Sequence, residues 1–564
     1  MKFSDMEYRR PDMTVIKSEF QSLINKFNTA NSCEEQRDII NEINVLRIDY
    51  ESMMSMAFIH YSIDTNNKSY DEEQDFFDDN NPIYKNFITE FYKALTTSKY
   101  RNLLEEHFGK YLFTIAEIEL KTFSPQIIDD LKKENHLASK YVKLIASAKI
   151  MFEGKERNLQ ELHPFMESPK REIRRNAFEA YWGFFEKNSV ELDDIFDELV
   201  KLRDGMAKKL GYENFIDLGY ARMRRSDYDY KMVARFRQQV RDFIVPIASH
   251  LRERQRNRLG LVSLKAYDLP IQFKSGNAKP KGSPEWIVDK GKEMYKELSQ
   301  EASEFFNFMI DNDLMDLYSR KGKADMGYCD YIPKYKSPFI FANMDGTEGD
   351  LTVLTHEAGH AFQSYLSRDI EIKEYTDPTS DSAEIHSMSM EFLTWPWMKL
   401  FFEDDTEKFK FSHINGSILF LPYGVLVDEF QHFVYENPDI TPAERKRKWR
   451  ELEKIYLPTC DFDGNEFLEN GGRWQRQGHI YEVPFYYIDY CLAQICAYQF
   501  WQKARKNQEK ATKDYIRLCK AGGSGSFLEL IKIADLTSPF GNGCCESLIS
   551  DVENWLERID DTKL

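Results

Sequence analysis

No stretch of this 564-residue chain approaches the about 18 consecutive apolar residues of a membrane-crossing helix, so a membrane-embedded protein is not expected. The opening residues, MKFSDMEYRRPDM, lack the apolar core of a secretory signal and carry charges and a proline in its place. Cysteine is scarce: eight residues, without a CxxC pair or regular spacing, leave no disulfide framework to read. Reduced thiols and a cytoplasmic protein are the expectation. Positive charge is in deficit, with 76 Lys and Arg against 94 Asp and Glu, and a net charge of -18 disfavours nucleic acid and anionic membrane as partners. No repeat of about 20 to 50 residues is visible, which argues against a solenoid. The glycine-rich AGGSGS at 521–526 lacks the Gly-Lys-Ser/Thr of a phosphate loop.

What is present is enough apolar surface for a large core, 42% of residues, on a chain long enough for at least two lobes. Segments 35–60, 84–110, 126–153 and 170–210 repeat apolar residues every three or four positions, the pattern of packed amphipathic helices. The acidic, Asn-rich stretch Asp71 to Pro82 reads as an exposed loop, and Lys274 to Pro284, rich in Gly, Pro and Lys, as a second. From Gly327 to Asn343 the residues suit short strands, and Pro333 and Pro338 point to edge strands because proline cannot donate a ladder hydrogen bond.

One motif carries chemistry: His356-Glu357-Ala358-Gly359-His360, in DLTVLTHEAGHAFQSYL, where Asp350 suits a helix N-cap. Residues four apart share a helix face, so both imidazoles can reach one metal ion with Glu357 beside them. With 11 histidines in the chain, such a string arises by chance roughly 0.02 times. Catalytic zinc takes a third protein ligand and keeps one position open. Positions 363 to 366, Gln-Ser-Tyr-Leu, offer no histidine in a metzincin arrangement. The ligand is therefore expected from a second helix, in TSDSAEIHSMSMEFLTW, where Ser380 or Asp381 can cap and Glu384, Met388, Glu391 and Trp395 form one stripe. Glu384 is the choice; His386 faces the other side. Zinc would lower the pKa of its water to about 7, and Glu357 would take the proton as hydroxide attacks and pass it to the leaving amine.

The oxyanion of that reaction needs a donor, and HIYEVPFYYIDY at 479–490 is a candidate. With Pro484 opening a helix, Tyr487 and Tyr490 share a face and Tyr486 lies one turn from Tyr490. Aromatic residues at this spacing also fit ordinary core packing, and the pattern alone leaves both readings open.

Together the HExxH segment, the later AEIHS glutamate and HIYEVPFYYIDY resemble the thimet-oligopeptidase type of zinc metallopeptidases, specifically its Pz-peptidase-like oligoendopeptidase F branch. SPKREIRRNAFEAYWGFFEKN at 168–188, LVKLRDGMAKKLGYENFIDLGYARMRRSDY at 199–228 and DLYSRKGKADMGYCDYIPKYKSPFIFANMDGT at 316–347 extend the likeness. The resemblance implies a mainly α, two-lobed helical bundle enclosing a deep substrate channel, with a small β-sheet beside the active-site helix. We divide it into an N-terminal helical lobe, 1–195, and a catalytic domain, 196–564. It implies one Zn2+ per chain on His356, His360 and Glu384, with Glu357 as general base. Tyr490, Tyr487 and His479 stand at positions for substrate and oxyanion, with either Tyr481 or Tyr486 in a further tyrosine role. A strand over Pro338 to Asn343, including Phe339, Phe341 and Asn343, would offer its edge to the peptide backbone. Glu391 and Asp381 are candidates for orienting the ligand imidazoles. The implied activity is internal cleavage of short, unstructured peptides; a related zinc carboxypeptidase or aminopeptidase and a silent peptide-binding protein are the alternatives. The 274–284 loop and glycines 522–525 are candidates for gating movement. Oligomeric state stays open.

Overall fold

Helix starts are clearly marked in the first part of the chain. Asp12, Ser32 and Asn67 accept backbone N–H bonds at the starts of helices Met13–Thr29, Cys33–Ile63 and Lys68–Thr96. The computed structural model describes all 564 residues and is mainly helical, with two small sheets. Asp71 to Pro82 is not a loop: it lies within Lys68–Thr96. Phe77, Tyr84, Phe87 and Phe91 are buried along that helix at spacings of seven, three and four, and this stripe outweighs the acidic surface. Pro82 is buried inside it. The stretch 274–283 does lack helix and strand.

A hairpin of β1 (Ile150–Phe152) and β2 (Lys155–Arg157) precedes the rest. The second sheet has β3 (Met315–Tyr318), β4 (Tyr328–Ile332) and β5 (Ser337–Met344) in the order β3-β5-β4, with β5 parallel to β3 and antiparallel to β4. The strand holding Pro338 is therefore central. Proline is tolerated because Pro338 faces Tyr331 of β4, whereas the register with β3 begins only at Ile340, so no ladder partner on that side waits for its missing N–H.

From β5 the chain enters helix Gly349–Ser367, followed by Ser380–Leu393, the long Thr406–Glu436 and Tyr487–Lys506. Ser380–Leu393 packs against both Gly349–Ser367 and Tyr487–Lys506, which sets the site between three helices. One apolar core runs from the N-terminal helices to Leu556, and residue 195 falls in the middle of the continuous helix Ser189–Lys209. No helix is long and apolar enough to cross a membrane, and all eight cysteines are free.

Candidate metal centre and active-site cleft

The helix that carries His356 and His360 is fixed at both its entry and its crossing. Glu348, not Asp350, holds the N-cap position, because Asp350 sits in the first turn and points back. Its buried carboxylate accepts N–H bonds from Asp345 at 2.8 Å and Gly346 at 2.9 Å, which locks the turn leaving β5. One turn beyond His356, Gly359 touches the neighbouring helix: a Cβ there would stand 2.6 Å from the His386 carbonyl oxygen and 2.6 Å from Ser387 Cα. That close approach carries Glu384, on the same stretch of Ser380–Leu393, to the histidine face. Thr379 occupies the N-cap of this second helix, with Ser380 and Asp381 in its first turn.

His356 Nε2 lies 3.2 Å and His360 Nε2 3.5 Å from Glu384 Oε2, and the three ligand atoms are within 4.8 Å of one another. The hydrogen bonds behind them set the protons. Trp395 Nε1–H can only donate, and it donates to His413 Nδ1 at 3.1 Å, so His413 offers Nε2–H to Glu391 at 2.7 Å. The other Glu391 oxygen accepts from His356 Nδ1 at 2.7 Å. His356 Nε2 is thereby left to face a carboxylate oxygen, two acceptors that need a positive charge between them. Burial opposes protonation of His356, but its bonds to Glu384 and Glu391 prevail and hold its pKa well above the usual imidazole range. Against burial, His360 and His356 keep Glu384 ionised well below the carboxylate range. Two imidazole nitrogens and one carboxylate oxygen in this arrangement fit a divalent metal ion. Glu384 is also held by the Tyr486 hydroxyl, which donates to Oε1, and by Ser387 Oγ, which donates to Oε2 at 2.8 Å.

Glu391 accepts from both histidines, and Gln at 391 would turn an N–H toward one of two N–H groups. Glu391→Gln is expected to weaken metal binding about 10- to 100-fold, checked by competition with a zinc chelator. Asp381 takes no part in orienting an imidazole; it accepts from Tyr228 at 2.6 Å and from the Ser382 N–H at 2.7 Å.

The three candidate ligands border a cavity of about 420 Å³ with Glu357, Tyr486 and Tyr490. Glu357 Oε2 is buried with no hydrogen-bond partner, and burial raises the pKa of this carboxyl against the pull of His356 and His360. A buried carboxylate oxygen without a partner is placed to receive a proton from something in the cavity. The strand along this cavity is β4, through Tyr328 to Tyr331, rather than β5. β5 has a neighbour on each side, so Phe339 and Phe341 are buried inside the sheet, Phe341 stacked on Tyr328. Asn343 ties down the chain before β4 through bonds to the Ala324 and Met326 carbonyls, each 2.9 Å, and borders a second cavity. Across from β4, the N-terminal helix Cys33–Ile63 contributes Glu51, Met54 and Ser55 to the cavity wall.

The tyrosine helix starts at Tyr487, not at Pro484. The turn before it has Phe485 at φ 67°, held by Gln431, which accepts from its N–H at 2.8 Å, and by Arg225, which reaches both the Phe485 carbonyl and Asp489 at 2.6 Å. A second directed chain ends here. The Tyr423 hydroxyl donates to Gln477 Oε1 at 2.9 Å, Gln477 Nε2 donates to His479 Nδ1 at 2.8 Å, and His479 Nε2 then donates to the Tyr490 oxygen at 3.1 Å. Burial pushes the His479 pKa down to about 4, so the ring is neutral near pH 7 and this direction is fixed. The Tyr490 hydroxyl proton is thus free for the cavity, which Tyr490 borders.

Tyr487 packs edge-on to His479 and Tyr490, with centroids 5.0 and 5.4 Å away, but does not border the cavity. Tyr481 is core: fully buried, stacked on Tyr141 and packed by Phe196 and Trp474. Of the two candidate extra tyrosines, only Tyr486 reaches the centre. Gly522 and Gly523 pack tightly, since a Cβ would meet the Tyr375 carbonyl oxygen at 2.3 Å and that of Asp377 at 2.4 Å; they back the cavity wall rather than hinge.

The sequence pattern missed His413, Gln477, Ser387 and the role of Gly359. A glycine inside HEAGH, opposite a second helix, was the one available signal; the others have no spacing that marks them.

Comparisons with known proteins follow the same outline. A model described as the peptidase M3 N-terminal domain matches residues 3–123, and one described as peptidase family M3 matches 164–548. An oligoendopeptidase F homolog of Borreliella burgdorferi is 23% identical over 558 residues, covering 93% of this chain and 90% of its own. Oligopeptidase PepF of Bacillus subtilis is 23% identical over 390 residues, 66% of this chain and 56% of its own. A solved structure of PZ peptidase A with an inhibitor is 55% identical, covers 100% of both chains and superposes with a TM-score of 0.99.

Proposed function

The chain belongs to peptidase family M3, a family of peptide hydrolases, and from that premise we propose that it is a zinc-dependent oligoendopeptidase acting on short, unstructured peptides. The observation that carries this reading is the convergence of His356, His360 and Glu384 on a cavity that also holds the unpartnered Glu357 carboxylate oxygen. Zinc, when bound, supplies a Lewis acid that polarises the scissile carbonyl and makes water more acidic.

The residues of the chain do the rest. Glu357 accepts a proton from the attacking water and returns it to the leaving amine, a task that suits a carboxyl whose pKa burial has raised. Tyr490 directs its free hydroxyl proton at the developing oxyanion, with His479 fixing that direction. Tyr487 supports Tyr490 by packing. The half-buried edge of β4 that has no strand neighbour binds the peptide backbone, which gives affinity with little demand on side chains. The N-terminal helices act as the lobe facing the catalytic part, with Glu51, Met54 and Ser55 on the cleft wall, and the continuous helix Ser189–Lys209, in which residue 195 lies, joins the two. The free cysteines fit a reducing, cytoplasmic setting.

The test is mass mapping of products from one defined peptide, free and with both termini blocked, alongside metal analysis. An oligoendopeptidase cuts the blocked peptide at an internal bond and carries one zinc per chain. Trimming confined to peptides with a free terminus would identify an exopeptidase instead.

A further inference from the structure

A separate cavity of about 70 Å³ shares no bordering residue with the metal-centre cleft. That volume takes a few waters or one small ion, not a peptide. Two arginines, Arg252 and Arg473, border it beside the apolar Leu269, Leu419 and Leu457. Gln255 holds Arg252 in place. Its fully buried amide donates to the Asp268, Leu269 and Ile271 carbonyls at 3.3, 3.1 and 2.7 Å, which turns its oxygen to accept from Arg252 Nη1 at 2.8 Å. Nη1 also reaches the Leu269 carbonyl at 3.4 Å. The other edge of the guanidinium, Nε with Nη2, makes no hydrogen bond and is not sealed off from solvent.

The wall supplies no charge to match. No Asp or Glu borders the cavity, and Arg252 forms no ion pair. The carboxylate that reaches Arg473, Glu453 at 3.3 Å, is shared with Arg450 at 3.7 Å. Burial pushes the Cys460 thiol up, so it stays protonated near pH 7. The Tyr456 and Ser249 hydroxyls donate away from the cavity, to Glu429 and to the Val245 carbonyl. Burial, with Arg473 and Arg258 nearby, draws the Arg252 pKa down to about 10, which leaves the group charged near pH 7. A cation with a free two-donor edge, preset by a buried glutamine in a pocket without acids, matches two oxygens of one anion. We propose that this cavity binds a small oxyanion, a phosphate or a carboxylate, on the free edge of Arg252 with Arg473 beside it. The site adjoins the tyrosine chain: the Arg473 guanidinium lies 4.9 Å from the Tyr423 ring, and Tyr423 borders the cavity while its hydroxyl donates to Gln477. It does not depend on the peptidase reading.

Calorimetric titration of the full, zinc-loaded chain with inorganic phosphate, acetate and chloride, at constant ionic strength, tests this. The proposal predicts saturable binding of phosphate or acetate that Arg252→Met weakens at least about tenfold. Phosphate tighter than acetate identifies a phosphate site, and the reverse a carboxylate site; either supports the proposal. Arg252→Lys retains the charge without the fork and binds the preferred oxyanion more weakly than the unaltered chain, which carries the test should Arg252→Met fail to fold. Oxyanion held at the metal would survive both substitutions, so affinity unchanged in the two variants overturns the assignment. Absence of saturable binding overturns it as well, and chloride binding as tightly as either oxyanion removes the case for a two-oxygen ligand.

Discussion

Glu357→Gln is expected to lower turnover of an internally quenched peptide about 10²- to 10⁴-fold while zinc stays at one per chain. The substitution keeps the shape of the side chain and touches none of the candidate metal ligands. It removes the single property the mechanism needs there, a carboxylate that can take up a proton. Glu357 Oε2 has no hydrogen-bond partner to lose, so the fold should hardly register the change. Peptide fluorescence for rate and elemental analysis for metal check the two halves separately. Near-normal turnover with zinc bound would mean that another group moves the proton.

The second large effect is expected at a residue with no functional group. Gly359→Ala puts a methyl group 2.6 Å from two backbone atoms of the glutamate helix, and backbone cannot rotate aside as a side chain end can. The helices must part or tilt, which overpacking costs about 1–3 kcal/mol. Parting them draws Glu384 away from His356 and His360, so zinc affinity should fall more than about tenfold and activity with it. A control sits on Thr406–Glu436: a Cβ at Gly416 would meet nothing within 4 Å, and Gly416→Ala should be neutral or stabilising by up to about 1 kcal/mol. Thermal unfolding and zinc competition on both variants test the contrast. If Gly359→Ala unfolds and binds zinc like the unaltered chain, close helix contact is not what positions the glutamate.

The sequence was legible where a physical period wrote the answer. His356 and His360 four apart fix a shared helix face whatever the surroundings, and the stripe from Glu384 through Glu391 to Trp395 foretold both the carboxylate near the imidazoles and the one behind them. It misled where composition competed with spacing. Asp71 to Pro82 looked like a loop because acids and asparagines dominate it, yet Phe77 and Tyr84 already marked the buried face of a helix. Pro338 pointed to an edge strand, and the proline is indeed free of a β3 partner, but β3 joins β5 two residues later and makes it central. That shift moved the cavity-facing edge to β4 and took Phe339 and Phe341 out of the site. Contacts between distant segments left no local mark: His413 behind Glu391, Gln477 behind His479, and the burial of Tyr481 against Tyr141 all depend on how far-apart helices meet.

Anomalous X-ray scattering at the zinc edge from crystals of the zinc-loaded enzyme tests the metal assignment most directly. The account predicts one anomalous peak per chain, bonded to His356 Nε2, His360 Nε2 and a Glu384 oxygen, and absent from Glu384→Ala crystals prepared alongside. A zinc peak held by other residues, or one that survives unchanged without the Glu384 carboxylate, would contradict it.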